Sequence, residues 1–117
     1  MKSDELVKKI ADLALDKKAK QITIINLKEI TDYTDYFIIM TGESGLQIKA
    51  ISDHIEDELT KLGIKAYSKE GYEYLRWVLL DYVDVVVHIF SHEAREFYAI
   101  ERLYADAKME LITEEEV

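Results

Sequence analysis

The stretch TDYTDYFIIMTGES, residues 31–44, sets Asp32 and Asp35 beside two tyrosines, an apolar run and a Gly-x-Ser step. A strand that ends in Gly-x-Ser at the start of a helix is a cradle for phosphate, because free backbone N–H groups and the helix dipole both favour an anion there. Nucleotidyl transfer would further need two or three carboxylates converging on a divalent cation. The pattern falls short on both counts. Glu43 stands inside the turn, where its charge repels phosphate, and the lysine that completes a P-loop is missing. Asp81 and Asp84 lie three positions apart across the end of an expected hairpin, a spacing that does not aim both at one point. Asp32 and Asp35 precede a strand, where aspartate commonly bonds its own backbone in a turn.

Histidine offers no stronger site. His88 falls in the last expected strand, His92 at a helix start and His54 beside a helical stripe, and no cysteine is present to complete a ligand set. A hydrogen-bonded structural role is expected for all three, with no metal and no cofactor. The absence of cysteine also removes disulfides and thiol nucleophiles, which leaves stability to packing.

The elements that would position these residues are written in the periodicities. Leu6, Val7, Ile10, Leu13 and Ala14 share one helical face, predicting a helix over residues 3–17. Runs 22–27 and 36–40 read as buried strands. Ser44 and Gln47 have capping-box spacing, the stripe Ile48, Ile51, Ile55, Leu59 and Leu62 follows, and Gly63 is placed for a left-handed C-terminal cap. A short extended piece near 66–68, a Glu70-Gly71 turn and a hairpin of strands 77–80 and 85–90 come next. Ser91 is the expected cap of a last helix whose buried stripe is Phe97, Ile100, Tyr104 and Ala107. The order αββαβββα predicts an α/β fold, one mixed sheet with flanking helices. At 117 residues the chain has room for one core, so residues 1–117 are read as a single domain whose acidic tail frays after about residue 111.

Trp77, Leu79 and Asp81 share one face of their strand by the period of two, and Val86, His88 and Phe90 share one face of the next. Tyr98, Glu101, Arg102 and Asp106 lie off the buried stripe of the last helix. Trp, Tyr and Arg carry much of the binding energy at protein interfaces. A formal net charge of -9 argues against a broad electrostatic grip on nucleic acid; it suits a basic protein partner and equally a charge that serves solubility alone. No apolar run approaches the ~20 residues of a bilayer span, and acids interrupt the apolar positions of the first fifteen residues, so a cytoplasmic protein without membrane contact is expected.

In sequence order, TDYFIIMTGES, Gln47 with AISDHIEDEL, Glu70-Gly71, WVLLDYVDVVVHIF and AREFYAIERLYADA resemble the ribosomal silencing factor family, the Iojap-like proteins. The match runs over residues 22–107. It implies a nucleotidyltransferase-like core without the catalytic carboxylates, and a protein that is not an enzyme. Family members dock on the large ribosomal subunit against its fourteenth protein and sterically block joining of the small subunit in starvation or stationary phase. They often form homodimers in crystals. The resemblance places the partner-binding region at Trp77, Leu79, Asp81, His88, Tyr98 and Glu101. Val83 stands where the family usually has glycine, so a different hairpin turn is expected, since valine resists positive φ. Tyr104 stands where tryptophan is common. The competing reading is a nucleotide-binding or nucleotidyltransferase-like enzyme built on the TGES turn.

Overall fold

The computed structural model describes residues 1–113. Helix α1 (Ser3–Asp16) buries Leu6, Val7, Ile10, Ala11, Leu13 and Ala14, and its first turn is closed by Glu5 Oε1, which accepts from Lys2 N at 3.2 Å. Strands β1 (Lys20–Asn26) and β2 (Tyr36–Thr41) pair antiparallel, with a register irregularity between Lys20 and Thr23 where Gln21 takes a φ of 49°. Helix α2 (Gly45–Lys61) begins at Ser44, whose Oγ accepts from Gln47 N at 3.1 Å, and is followed by Gly63 at φ 79°. Its stripe is buried at Ile48, Ile51, Ile55 and Leu59, whereas Leu62 lies past the end and is exposed.

Strands β3 (Ser68–Glu70), β4 (Trp77–Asp81), β5 (Val85–Phe90) and β6 (Lys108–Ile112) complete the sheet in the order β3-β4-β5-β2-β1-β6. Strands β2 and β5 run parallel, as the connection through α2 requires, and the other neighbours are antiparallel. Helices α1 and α2 seal one face over Ile22, Ile24, Ile38, Met40, Val78, Leu80, Val87 and Ile89.

The C-terminal third departs from the sequence pattern. Ser91 Oγ does accept from Ala94 N at 3.1 Å, but α3 (His92–Tyr98) stops at Ala99, whose φ is 43°. A single turn, α4 (Ile100–Leu103), follows, and the chain then reverses into an edge strand, β6 (Lys108–Ile112), paired antiparallel with β1. The expected single helix is therefore two short ones, and a strand that the order αββαβββα did not include follows it. Of its expected stripe Ile100 is buried, Tyr104 and Ala107 are half-buried against the opposite face, and Phe97 is 79% exposed. The fraying expected after about residue 111 is not seen at Ile112, which closes β6; the rest of that expectation falls on residues 114–117, outside those described.

Candidate docking face

The face of the sheet away from α1 and α2 is only partly covered. Alternation on β4 puts Val78 and Leu80 under the helices and leaves Trp77, Leu79 and Asp81 half-buried on the other side. The antiparallel register sets Trp77 opposite Phe90, Leu79 opposite His88 and Asp81 opposite Val86. The two sets expected to share a face do so.

Aromatic side chains fill this face. The Trp77 ring lies 4.9 Å from Phe90 and 4.7 Å from Tyr98 between centroids, and Phe97 meets Tyr98 edge-on at 5.0 Å. Beneath them His88 packs edge-to-face on Phe37 at 4.6 Å. Such distances and tilts are the favourable ones for ring quadrupoles. Trp77 Nε1 donates to His88 Nδ1 at 3.1 Å. That acceptor must carry a lone pair, so the proton of the neutral imidazole sits on Nε2, which is buried without a hydrogen-bond partner. Burial holds the His88 pKa down to about 4, which keeps the ring neutral at physiological pH. Beside Trp77 a groove of about 390 Å³ opens between Arg76, Glu93, Phe97 and Tyr98.

Two residues assigned to partner contact have other duties. His88 is 4% exposed and orients Trp77 from below, so it has no surface to offer. Glu101 Oε2 accepts from Arg95 Nη2 at 3.0 Å and from Nε at 3.3 Å. Arg95 also donates to Gln21 O, Thr41 Oγ1 and Thr23 Oγ1 at 2.6–3.2 Å, tying α3 and α4 to the β1 irregularity. Trp77, Leu79 and Asp81 keep partial exposure, and Tyr98 is 48% exposed. Phe97, read from the sequence as core, joins them on the surface; no pattern marked the break at Ala99 that turns it outward.

The hairpin turn differs from expectation as well. Asp84 N donates to Tyr82 O at 2.9 Å and Tyr82 N to Val85 O at 2.9 Å, a three-residue turn with Val83 at φ 72°. Valine takes the left-handed conformation that it was expected to avoid. Asp81 Oδ1 accepts from Val83 N at 2.7 Å, which is the turn chemistry expected of Asp32 and Asp35; there Thr31 Oγ1 accepts from Tyr33 N instead.

The TGES corner spends its polar groups on architecture. Glu43 N donates to Gln47 Oε1 at 2.6 Å, and Gln47 Nε2 bonds the carbonyls of Lys17 and Lys18 at 3.1 Å each. A Cβ at Gly42 would lie 2.6 Å from Ile48 Cγ1, so glycine is required there for close packing of strand on helix. Among the described residues no three acidic or imidazole side chains converge as a metal site. His54 Nε2 pairs with Asp16 Oδ2 at 3.0 Å between the first two helices.

A family model described as ribosomal silencing factor during starvation matches residues 1–117. A ribosomal silencing factor of Halalkalibacterium halodurans is 39% identical over 107 residues, 92% of each chain. The crystal structure of a protein from Chromobacterium violaceum superposes with a TM-score of 0.87 at 31% identity, covering 97% of this chain and 94% of that one. More distantly, a mouse protein named for mitochondrial assembly of the ribosomal large subunit is 29% identical over 98 residues, which are 81% of this chain and 43% of that protein.

Proposed function

The chain belongs to the ribosomal silencing factor family, and from that premise we propose that it represses translation by docking on the large ribosomal subunit and sterically blocking the small one. The partner is the fourteenth protein of the large subunit, the block operates in starvation or stationary phase, and the protein works in the cytoplasm without catalysing a reaction. The name of the mouse relative supports the choice of subunit.

The observation that carries this reading is the partly exposed Trp77, set between Phe90 and Tyr98 at the mouth of a groove that Phe97 also lines. Large rigid rings with a polar edge lose little entropy on binding and supply the anchors of protein interfaces. Glu93 at the groove and Asp81 at the end of β4, on a chain of net charge -9, suit a basic partner. Contacts are assigned to Trp77, Leu79, Asp81, Tyr98 and Phe97, with His88 and Glu101 as supports. A homodimer formed through this face would compete with ribosome binding.

The test is co-sedimentation with separated subunits together with the yield of joined ribosomes. The protein should travel with large subunits and lower joining; undiminished joining at saturating protein would falsify the proposal. Trp77→Ala should weaken binding by about 2 kcal/mol, roughly thirtyfold, the scale of a central aromatic anchor. Normal binding by that variant would return Trp77 to the core.

A further inference from the structure

Val83 combines two features that packing alone does not explain. Its φ of 72° lies in the left-handed region, where the branched Cβ of valine is crowded by its own backbone and glycine or asparagine would sit with less strain. Its side chain is also 56% exposed, so the strain is not repaid by burial. Outliers of this kind are held by the structure around them and cluster at binding and switch sites.

Position says what it would be used on. Trp77, Leu79 and Asp81 step along one face of β4 toward the turn, and Asp81 Oδ1 holds Val83 N at 2.7 Å, which fixes Val83 at the tip where that line ends. Acidic residues neighbour the line. Glu70 lies opposite Leu79 across the β3–β4 ladder, and Asp84 O accepts from Asp35 N and Tyr36 N at 3.0 and 3.1 Å, which brings the Asp35 and Asp84 residues together beside the tip. An apolar point inside an acidic rim fits a basic protein with a small apolar recess, since the charges steer and the apolar contact is made after docking.

We propose that Val83 is a specificity contact, a second anchor at the far end of the β4 line, which inserts into an apolar spot on the basic ribosomal protein bound through Trp77. The inference rests on the docking reading above and extends its surface to the hairpin tip.

Val83→Gly and Val83→Asn separate the two roles of the side chain, because both residues accept positive φ and neither offers an apolar branch. Both variants should melt at a higher temperature than the unaltered chain. Both should bind isolated large subunits about tenfold more weakly in co-sedimentation, the effect of a peripheral apolar contact. Variants that melt higher and bind as the unaltered chain does overturn the inference, and so does a melting temperature that fails to rise. If the unaltered chain binds and only Trp77→Ala weakens it, the docking reading stands and this one falls. If the unaltered chain does not co-sediment, both fall.

Discussion

The two faces of the sheet are made by alternate residues of the same strands and end in different states. Under α1 and α2 the core side chains of β1, β2, β4 and β5 are aliphatic or thioether and sealed, and the two helices contribute one stripe each, from Leu6 to Ala14 and from Ile48 to Leu59. On the other side Phe37, Trp77, Phe90 and Tyr104 join Ile25, Leu27 and Ile39, the covering elements shrink to seven and four residues, and Trp77, Tyr98 and Phe97 reach solvent. The first face needs volume and shape only, which aliphatic side chains supply. The second must hold rings in fixed orientations without a lid, and it does so with polar bonds: Trp77 to His88, and Arg95 to Glu101 and the β1 irregularity. The larger sealed core lies on one side, and a smaller core with the proposed binding surface on the other.

The sharpest way to break that contrast is to remove volume from the sealed face. Ile55 is fully buried within α2, and Ile55→Ala should lower the unfolding free energy by about 3–4 kcal/mol through lost transfer energy and a residual cavity. Denaturant titration measures that loss. Large-subunit binding per folded molecule should stay unchanged, and a binding defect in a folded Ile55→Ala protein would show that the two faces are coupled.

A slightly smaller effect comes from His88. Its folded-state pKa of about 4 lies below the ordinary 6.5, so between these values the unfolded chain takes up the proton and the native state refuses it. The stability contributed by the neutral ring is complete above pH 6.5 and is lost as pH falls toward 4, a change of about 3 kcal/mol for a gap of that width. In His88→Gln an amide oxygen can still accept from the indole, but nothing at that site titrates. The difference between the two unfolding free energies should therefore change across pH 6.5–4; a constant difference would mean that His88 is not held neutral by burial.

Much of this contrast was legible in the sequence. The stripe of α2 with its Ser44 cap and Gly63 terminus, the hairpin of β4 and β5, and the shared face of Trp77, Leu79 and Asp81 follow from period and capping, which are local properties. The missed features are those where a distant partner overrules local preference. Residues 105–111, ADAKMEL, are mostly good helix formers, yet the open edge of β1 draws 108–112 into a strand. Ala99 at φ 43° and Val83 at φ 72° take conformations that their side chains do not announce. Phe97 turned outward follows from the first of these. The burial of His88 and the engagement of Glu101 by Arg95 depend on which elements cover the second face, and periodicity does not specify that.

The smallest change sharpens the comparison furthest. Trp77→Phe keeps a ring against Phe90 and Tyr98 but deletes the indole N–H, leaving both nitrogens of His88 without a partner. A net hydrogen bond is worth about 1 kcal/mol, so the variant should remain folded and lose roughly that much stability. If ring area alone makes the interface, its binding to large subunits should match the unaltered chain. If orientation is what the half-covered face supplies, binding should weaken by more than the stability loss, because a phenyl ring at this position turns without the bond that fixed it. Measuring the two quantities on one protein decides whether the polar bond beneath Trp77 serves the fold or the surface, and the geometry favours the surface: His88 makes its hydrogen bond to a half-exposed ring, while its other nitrogen stays buried and unpaired.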